Sequence, residues 1–311
     1  MCLQNYLVRW YMRNFDKQLI KKFKTKLIKN ENMAKHTTFK IGGNAKYFIN
    51  VSKISEISYI QNLCQKYNIS YFVLGAGSNL LVLDEGYDGV IISMQNFNKI
   101  KILKNNCIQV DAGVKLGNLV QKCAKNCLSG IEWAVGIPGS VGGAITMNAG
   151  AFDNQISDYI EYITVLENGR KKLLKKENVF FDYRKSLFTN QKKYVIINAI
   201  LKLNSALYDD IILRQHKYVE IRNETQAVKY PSAGSVFKRK PNITAAELID
   251  KAGLKGLTVG GAMVSDVHSG YIVNTGNATA KDVLTLIKLI KEKILNLYGQ
   301  ELEKEIIILG E

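Results

Sequence analysis

The sequence predicts an α+β protein of two domains, and three observations lead there. Apolar residues make up 47% of 311 positions and there are three prolines, which describes a folded chain. At about 100–200 residues per domain, that length holds two cores. Strand-like runs alternate with short helices up to residue 203, separated by glycine turns, and a charged helix over 208–224 then reads as a connector. The boundary therefore falls near residue 205. It leaves an N-terminal helical segment over 1–35, a larger domain over 36–204 and a smaller one over 205–311.

In chain order, Leu3, Leu7, Trp10, Tyr11, Phe15, Leu19, Phe23 and Leu27 recur at three- and four-residue intervals with basic residues between them. That is an amphipathic helical period. Such a helix packs on the protein body or lies on a membrane surface, and its few strongly apolar residues favour the body. Residues 36–50, HTTFKIGGNAKYFIN, read as a glycine turn running into a strand. A helix over 55–68 sets Ile57, Ile60, Leu63, Cys64 and Tyr67 on one face. Residues 71–83, YFVLGAGSNLLVL, resemble a dinucleotide loop, but Leu80 stands where the third glycine belongs. The turn also leads into another apolar run instead of a helix, so the device is strand, glycine turn, strand.

Strands over 90–94 and 108–113 and a helix over 116–127 follow, and then GIPGSVGGAITMNAG over 136–150. Asn168-Gly169 between apolar runs is a hairpin signal. A strand over 195–203 closes the larger domain. Beyond the connector come a glycine turn over 232–235, a helix over 244–252 and a strand over 271–273. A long helix over 280–298 has Thr279 as N-cap and Gly299 as stop, and a strand over 301–309 ends the chain.

The net charge of +16 is mostly lysine spread along the chain, which reads as solvated compositional bias with a residual field for phosphate-bearing small molecules. A basic nucleic-acid binder is the rival reading, without a recognition motif or an aromatic-basic stripe behind it. Cys2, Cys64, Cys107, Cys123 and Cys127 form neither a redox pair nor a zinc spacing, and His36, His216 and His268 are far apart, so no metal site is expected. Ser140 and Ser235 each lack the outer glycine of a hydrolase elbow, and no Walker loop is present. No apolar run approaches the roughly 20 residues of a membrane helix, and a reducing cytoplasm fits the cysteines.

Residues 136–150 are glycine-rich and carry no charge. They form either a wall against a ligand or a softened turn between core elements. With Gly42-Gly43 and the 75–79 loop they make three glycine loops of similar character, none followed by the helix of a mononucleotide site. Together they point to a long cofactor threaded between strand ends and held mainly by backbone N–H groups. Ser78, Asn79, Ser140 and Asn148 would add side-chain hydrogen bonds.

The motifs HTTFKIGG, VLGAGSNLLV, GIPGSVGGAITMNAGAF, FDYRKSLF, YPSAGSVFK, LIDKAGLKGLTVGGAMVS and LEKEIIILG run in the order found in the UDP-N-acetylenolpyruvoylglucosamine reductase family. From about residue 32 onward the chain resembles that family. The resemblance implies an FAD-binding domain of the vanillyl-alcohol-oxidase (PCMH) type followed by a smaller α+β substrate-binding domain. It implies non-covalent FAD, NADPH as hydride donor, and reduction of the enolpyruvyl UDP-sugar to UDP-N-acetylmuramate for peptidoglycan precursors. It further implies a cytoplasmic monomer that takes small-molecule substrates, with no nucleic acid and no membrane insertion. Another oxidase of the same flavin fold is the rival within enzymes, and the C-terminal motifs speak against it.

The resemblance places the catalytic arginine at Arg184, the acid at Ser235 and the glutamate at Glu305. Arg184 would clamp the substrate carboxylate, Ser235 would protonate the enolate carbon with Lys238 as its electropositive neighbour, and Glu305 would stabilise the enolic form. Cofactor contacts are expected at Lys40, Gly42, Gly43, Gly75, Gly77, Ser78, Asn79, Leu80, Gly136, Ile137, Pro138, Gly139, Ser140, Gly142, Gly143, Asn148, Ala149 and Gly150. Substrate contacts are expected at Tyr183, Lys238, Arg239 and His268. Without the resemblance, Arg184 reads as a surface arginine, Ser235 as a turn residue, Glu305 as the solvent face of an edge strand, and His268 as a core or loop histidine. The chain departs from the family pattern at Arg239, where many relatives carry Asn, and at Ile307, where many carry Arg. It shows no counterpart of the tyrosine-bearing loop that covers the substrate in one branch, which puts it in the shorter branch.

Overall fold

The computed structural model describes residues 2–189, 193–227, 229–239 and 243–311, with side chains from residue 13 onward. Helix α1 (Cys2–Phe23) ends where Lys24 takes a φ of 47°. Phe15, Leu19 and Phe23 are buried in the first core, so this part of the helix docks on the body. The side chains of Leu3, Leu7, Trp10 and Tyr11 lie outside the described residues. The expected helical segment over 1–35 is corrected beyond Phe23. Leu27–Asn32 is a strand, because Leu27 and Ile28 find strand partners in Ile49 and Phe48.

Two sheets enclose the first core. One has the order Leu27–Asn32, Asn44–Asn50, Tyr87–Ser93, Tyr71–Leu74, its last three strands parallel where they pair. Its central strands, Asn44–Asn50 and Tyr87–Ser93, are buried on both faces, as parallel strands require. Tyr47, Ile49, Val90 and Ile92 enter the main core, whereas Phe48 and Ile91 face a second cluster with Leu80, Val82 and Leu309. The other sheet is antiparallel, in the order Arg170–Lys175, Ile160–Glu167, Tyr194–Lys202, Cys107–Asp111, Ile100–Ile102. Its expected hairpin is present: Asn168 and Gly169 both have positive φ, and Glu167 pairs with Arg170. Helices α2 (Ile54–Tyr67) and α3 (Leu116–Ala124) contribute to the same core. Cys127, expected inside α3, lies past its end at a φ of 53°.

The 136–150 stretch is not bare loop. Ser140 caps a short helix, α4 (Val141–Thr146), by accepting from the Gly143 N–H at 3.3 Å. The connector α5 (Tyr208–Thr225) lies against the first unit. Gln215 accepts from Gln121, Arg214 pairs with Glu132 at 2.9 Å, and Arg222 donates to the Trp133 carbonyl at 3.0 Å.

The C-terminal part is a sheet in the order Ser232–Ser235, Tyr271–Asn274, Ala262–Val264, Thr258–Val259, packed with α6 (Ala245–Lys251) and α7 (Ala280–Tyr298). Residues 232–235, expected as a turn, form a bulged strand whose backbone pairs with Tyr271–Asn274. The closing strand is likewise shorter than expected. Glu303 accepts from Lys238 N–H, Glu305 N–H donates to Val236, and only from Ile307 to Leu309 does the segment pair, in parallel, with Leu80–Val82. The chain end thus switches partners at Glu305 and joins the C-terminal sheet to the loop-bearing strand of the first unit.

Candidate active site

The three glycine loops meet. The Thr38 N–H donates to the Gly77 carbonyl at 3.2 Å, and a Cβ on Gly77 would lie 2.0 Å from the His36 carbonyl. Gly75 approaches the third loop so closely that a Cβ there would lie 2.2 Å from Ser140 Oγ. Glycine at 75 and 77 is therefore set by loop-to-loop approach.

The loops do different work from one another. Gly42 and Gly43 sit against Val82, Met33 and the Asp84 carbonyl. In the third loop, the N–H groups of Ile137, Gly139, Val141, Gly142 and Gly143 all donate within the protein. The expectation of a wall of free backbone donors is thereby corrected for those five residues, and one of the three loops does lead into a helix. What this stretch offers is exposed, uncharged backbone at Gly136, Pro138 and Gly143. Asn148 is buried, and its amide is engaged with Gln155, the Asp182 carbonyl and the Ser157 N–H. It props the hairpin that carries Arg184. Asn79 donates to the Glu305 carbonyl at 3.1 Å and accepts from Ile307 N–H, which holds the Glu305 segment against the second loop. Lys40, at a φ of 55°, and Ser78 lie on the first two loops, Leu80 opens the strand paired with Ile307, and Ala149 and Gly150 follow Asn148.

Arg184 and Tyr183 form the turn between Phe181–Asp182 and Lys185–Ser186. Arg184 Nε donates to Glu305 Oε1 at 2.8 Å and a terminal nitrogen donates to the Gly150 carbonyl at 3.0 Å. The pair is largely withdrawn from solvent, with side-chain exposures of 23% and 14%. Neither residue is the surface group it resembles in isolation. Burial raises the Glu305 pKa above the usual carboxylate value, with Arg184, Lys238 and Arg239 pulling the other way. Tyr183, stacked under the Arg184 guanidinium at 5.1 Å, accepts from the Arg239 N–H.

Ser235 stands on the bulged strand, one residue before the Val236 carbonyl that anchors Glu305. The expected electropositive partner, Lys238, is committed elsewhere: its Nζ lies 2.5 Å from the Glu303 carboxylate. Ser235 is instead directly opposite Tyr271 in the strand register, and its hydroxyl is among the groups that the Tyr271 phenol feels. Tyr271 also feels Arg222, Glu305 and Arg184, and its ring packs edge-on against His268 at 4.8 Å. Burial holds the His268 imidazole below the usual histidine range. Arg184, Ser235 and Glu305 therefore converge, with Tyr183, Lys238, Arg239 and His268 around them. Tyr271 and Arg222 were missed, because YIVN reads as core strand and Arg222 as one charge among many on the connector.

Among the described residues, no group of three or more His, Cys, Asp or Glu side chains is placed to hold a metal, and no helix is long and apolar enough to cross a membrane.

Two family models match the chain: FAD binding domain over residues 45–171, and UDP-N-acetylenolpyruvoylglucosamine reductase, C-terminal domain, over residues 226–309. The chain is 42% identical over 283 residues to the UDP-N-acetylenolpyruvoylglucosamine reductase of Clostridium kluyveri, covering 91% of this chain and 92% of the relative. To the enzyme of the same name from Clostridium tetani it is 41% identical over 303 residues, covering 97% and 98%. The crystal structure of the UDP-N-acetylenolpyruvylglucosamine reductase MurB from Thermus caldophilus superposes with a TM-score of 0.78 at 34% identity, over 91% of this chain and 98% of that one. The glucose dehydrogenase Phl p 4 is similar in fold alone, with a TM-score of 0.50 at 14% identity over 63% of this chain and 44% of its own. The fold class is the expected one: an FAD-binding domain of the vanillyl-alcohol-oxidase type followed by a smaller α+β domain.

Proposed function

The chain belongs to the UDP-N-acetylenolpyruvoylglucosamine reductase family, and from that premise we propose that it reduces UDP-N-acetylenolpyruvoylglucosamine to UDP-N-acetylmuramate with NADPH, in the cytoplasm, for peptidoglycan precursors. The observation that carries this reading is the Arg184–Glu305 pair at 2.8 Å, brought beside Ser235 from motifs 121 positions apart in the chain.

An FAD fits the cradle. Exposed backbone at Gly136 and Gly143 lets a dinucleotide approach without a Cβ in the way, and the adjoining 75–79 loop carries Ser78 for its polar groups. When bound, FAD supplies hydride to the enolpyruvyl double bond and is replenished by NADPH.

The protein's own residues handle the charge and the proton. Hydride arriving at the terminal carbon pushes an electron pair onto the adjacent carbon and its carboxylate. Arg184, its plane preset by Glu305 and Gly150, meets that carboxylate and stabilises the growing charge. Glu305, held beside Arg184, stabilises the enolic form. Ser235 delivers the proton to the carbon next to the carboxylate, completing addition of hydride and proton across the bond. Tyr183, Lys238, Arg239 and His268 line the approach of the UDP-sugar. The division near residue 205 belongs to the same reading, with α5 seated on the first unit.

Ser235→Ala tests the assignment. It should keep bound flavin and its reduction by NADPH, and lose roughly 10²–10⁴-fold in substrate turnover. Turnover at the wild-type rate would reduce Ser235 to a structural residue.

A further inference from the structure

A serine is a weak acid, and the oxygen that gives up its proton needs a partner for the charge it takes on. Lys238 is not that partner, since its ammonium is paired with Glu303. The strand geometry supplies another. Ser232 pairs with Val273 and Ser235 pairs with Tyr271, so three steps on one strand match two on the other. The extra residue is a bulge at Ala233–Gly234, with Gly234 at a φ of 77°. In an unbulged ladder Gly234 would stand opposite Tyr271. The bulge substitutes Ser235, and residues directly opposite in an antiparallel pair share a face, with Cβ atoms about 4.5–5.5 Å apart.

The surroundings of the phenol are equally specific. Its ring is held by the edge-on contact with His268. The phenol also feels the charge of Arg222, 6% exposed, which donates to the Trp133 carbonyl at 3.0 Å and to Gln226 Oε1 at 3.2 Å. Arg222 Nε has no hydrogen-bond partner among the described residues, so the guanidinium is not fully neutralised where it sits.

We infer that Tyr271 is a positioning residue for Ser235: its neutral phenol donates to Ser235 Oγ, aims the serine proton at the substrate carbon, and holds the charge left on the oxygen. The inference rests on the reading of Ser235 as the acid. The proton leaves Oγ for the carbon, the phenol O–H shares the resulting alkoxide charge within the field of Arg222, and a proton from water restores the serine. Burial raises the phenol's pKa and so keeps it a donor through the cycle.

Tyr271→Phe removes one oxygen and keeps the ring on His268. The holoenzyme variant should bind flavin and be reduced by NADPH at the wild-type rate, with KM for the UDP-sugar within about twofold. Its reoxidation by substrate should slow by roughly tenfold or more, the scale of one lost hydrogen bond to a developing charge. On a Ser235→Ala background the same change should add no further loss, because the group it acts through is gone. Wild-type reoxidation in Tyr271→Phe, an undiminished extra loss in the double variant, or loss of bound flavin in Tyr271→Phe would each overturn the inference. If Ser235→Ala alone reoxidises at the wild-type rate, the acid assignment itself fails, a result distinct from failure of the tyrosine step.

Discussion

Arg184 holds a left-handed backbone, with φ of 52°, in a turn where glycine or asparagine would be at ease. Such a conformation costs about 1–3 kcal/mol and persists where surrounding contacts over-determine it. Here the contacts are Glu305, the Gly150 carbonyl and the Tyr183 ring. Glu305 carries the matching electrostatic tension. Its pKa is higher folded than unfolded, so the native state binds that proton more tightly. The stabilising contribution is fully present below the unfolded value and is lost as pH rises through the folded one. Glu305→Gln lacks this dependence, so its melting temperature should gain on wild type as pH rises from about 4 to about 7. Parallel melting curves across that range would refute the raised pKa. At this scale the motifs FDYRKS, AGSVFK and EKEIII made Arg184, Ser235 and Glu305 legible through the family pattern. The roles of Asn148 and Asn79 in holding the Arg184 and Glu305 segments were not legible, because the partners of a side-chain amide come from distant chain.

Helix α7 shows how far local signals reach. Thr279 caps it by accepting from the Asp282 N–H at 3.1 Å, and Gly299 ends it at a φ of 62°, both as the residue types dictate. The sequence did not disclose a second cap from the other unit. Asp84, just past the Leu80–Val82 strand, accepts from the N–H groups of Ala280 and Lys281 at 2.8 and 2.9 Å. A carboxylate at a helix N-terminus suits the dipole as well as the orphan donors. Asp84→Ala should therefore lower stability by about 0.5–1 kcal/mol, given how exposed the aspartate is, read as a lower urea midpoint with unchanged m-value. No shift in the midpoint would show that Thr279 alone suffices. The elements that misread share one cause. The bulge at 233–234 and the partner switch at Glu305 are each decided by a neighbour that local sequence does not contain. Period and capping predict an element; they do not predict what it pairs with.

Across the whole molecule, the last strand explains why the glycine loops meet Ser235 and Glu305. Ile307–Leu309 lies beside Leu80–Val82, which continues from the second glycine loop, and the preceding residues lie on the strand of Ser235. The first loop is tied to the C-terminal sheet by Thr38 Oγ1 donating to the Ser232 carbonyl at 2.7 Å and by Asn274 donating to the Phe39 carbonyl at 3.1 Å. Leu81, Phe39 and Ile41 sit in the C-terminal core although they come from the N-terminal part of the chain. The loops that would hold FAD and the strands that carry Ser235 and Glu305 are thus one construction. The reaction follows from that juxtaposition, and an anaerobic mixing experiment tests it most directly. Holoenzyme bleached with NADPH is mixed with UDP-N-acetylenolpyruvoylglucosamine, and the absorbance of oxidised flavin is followed. The yellow colour should return as UDP-N-acetylmuramate forms; flavin that stays reduced in the presence of the enolpyruvyl sugar would contradict the assigned reaction.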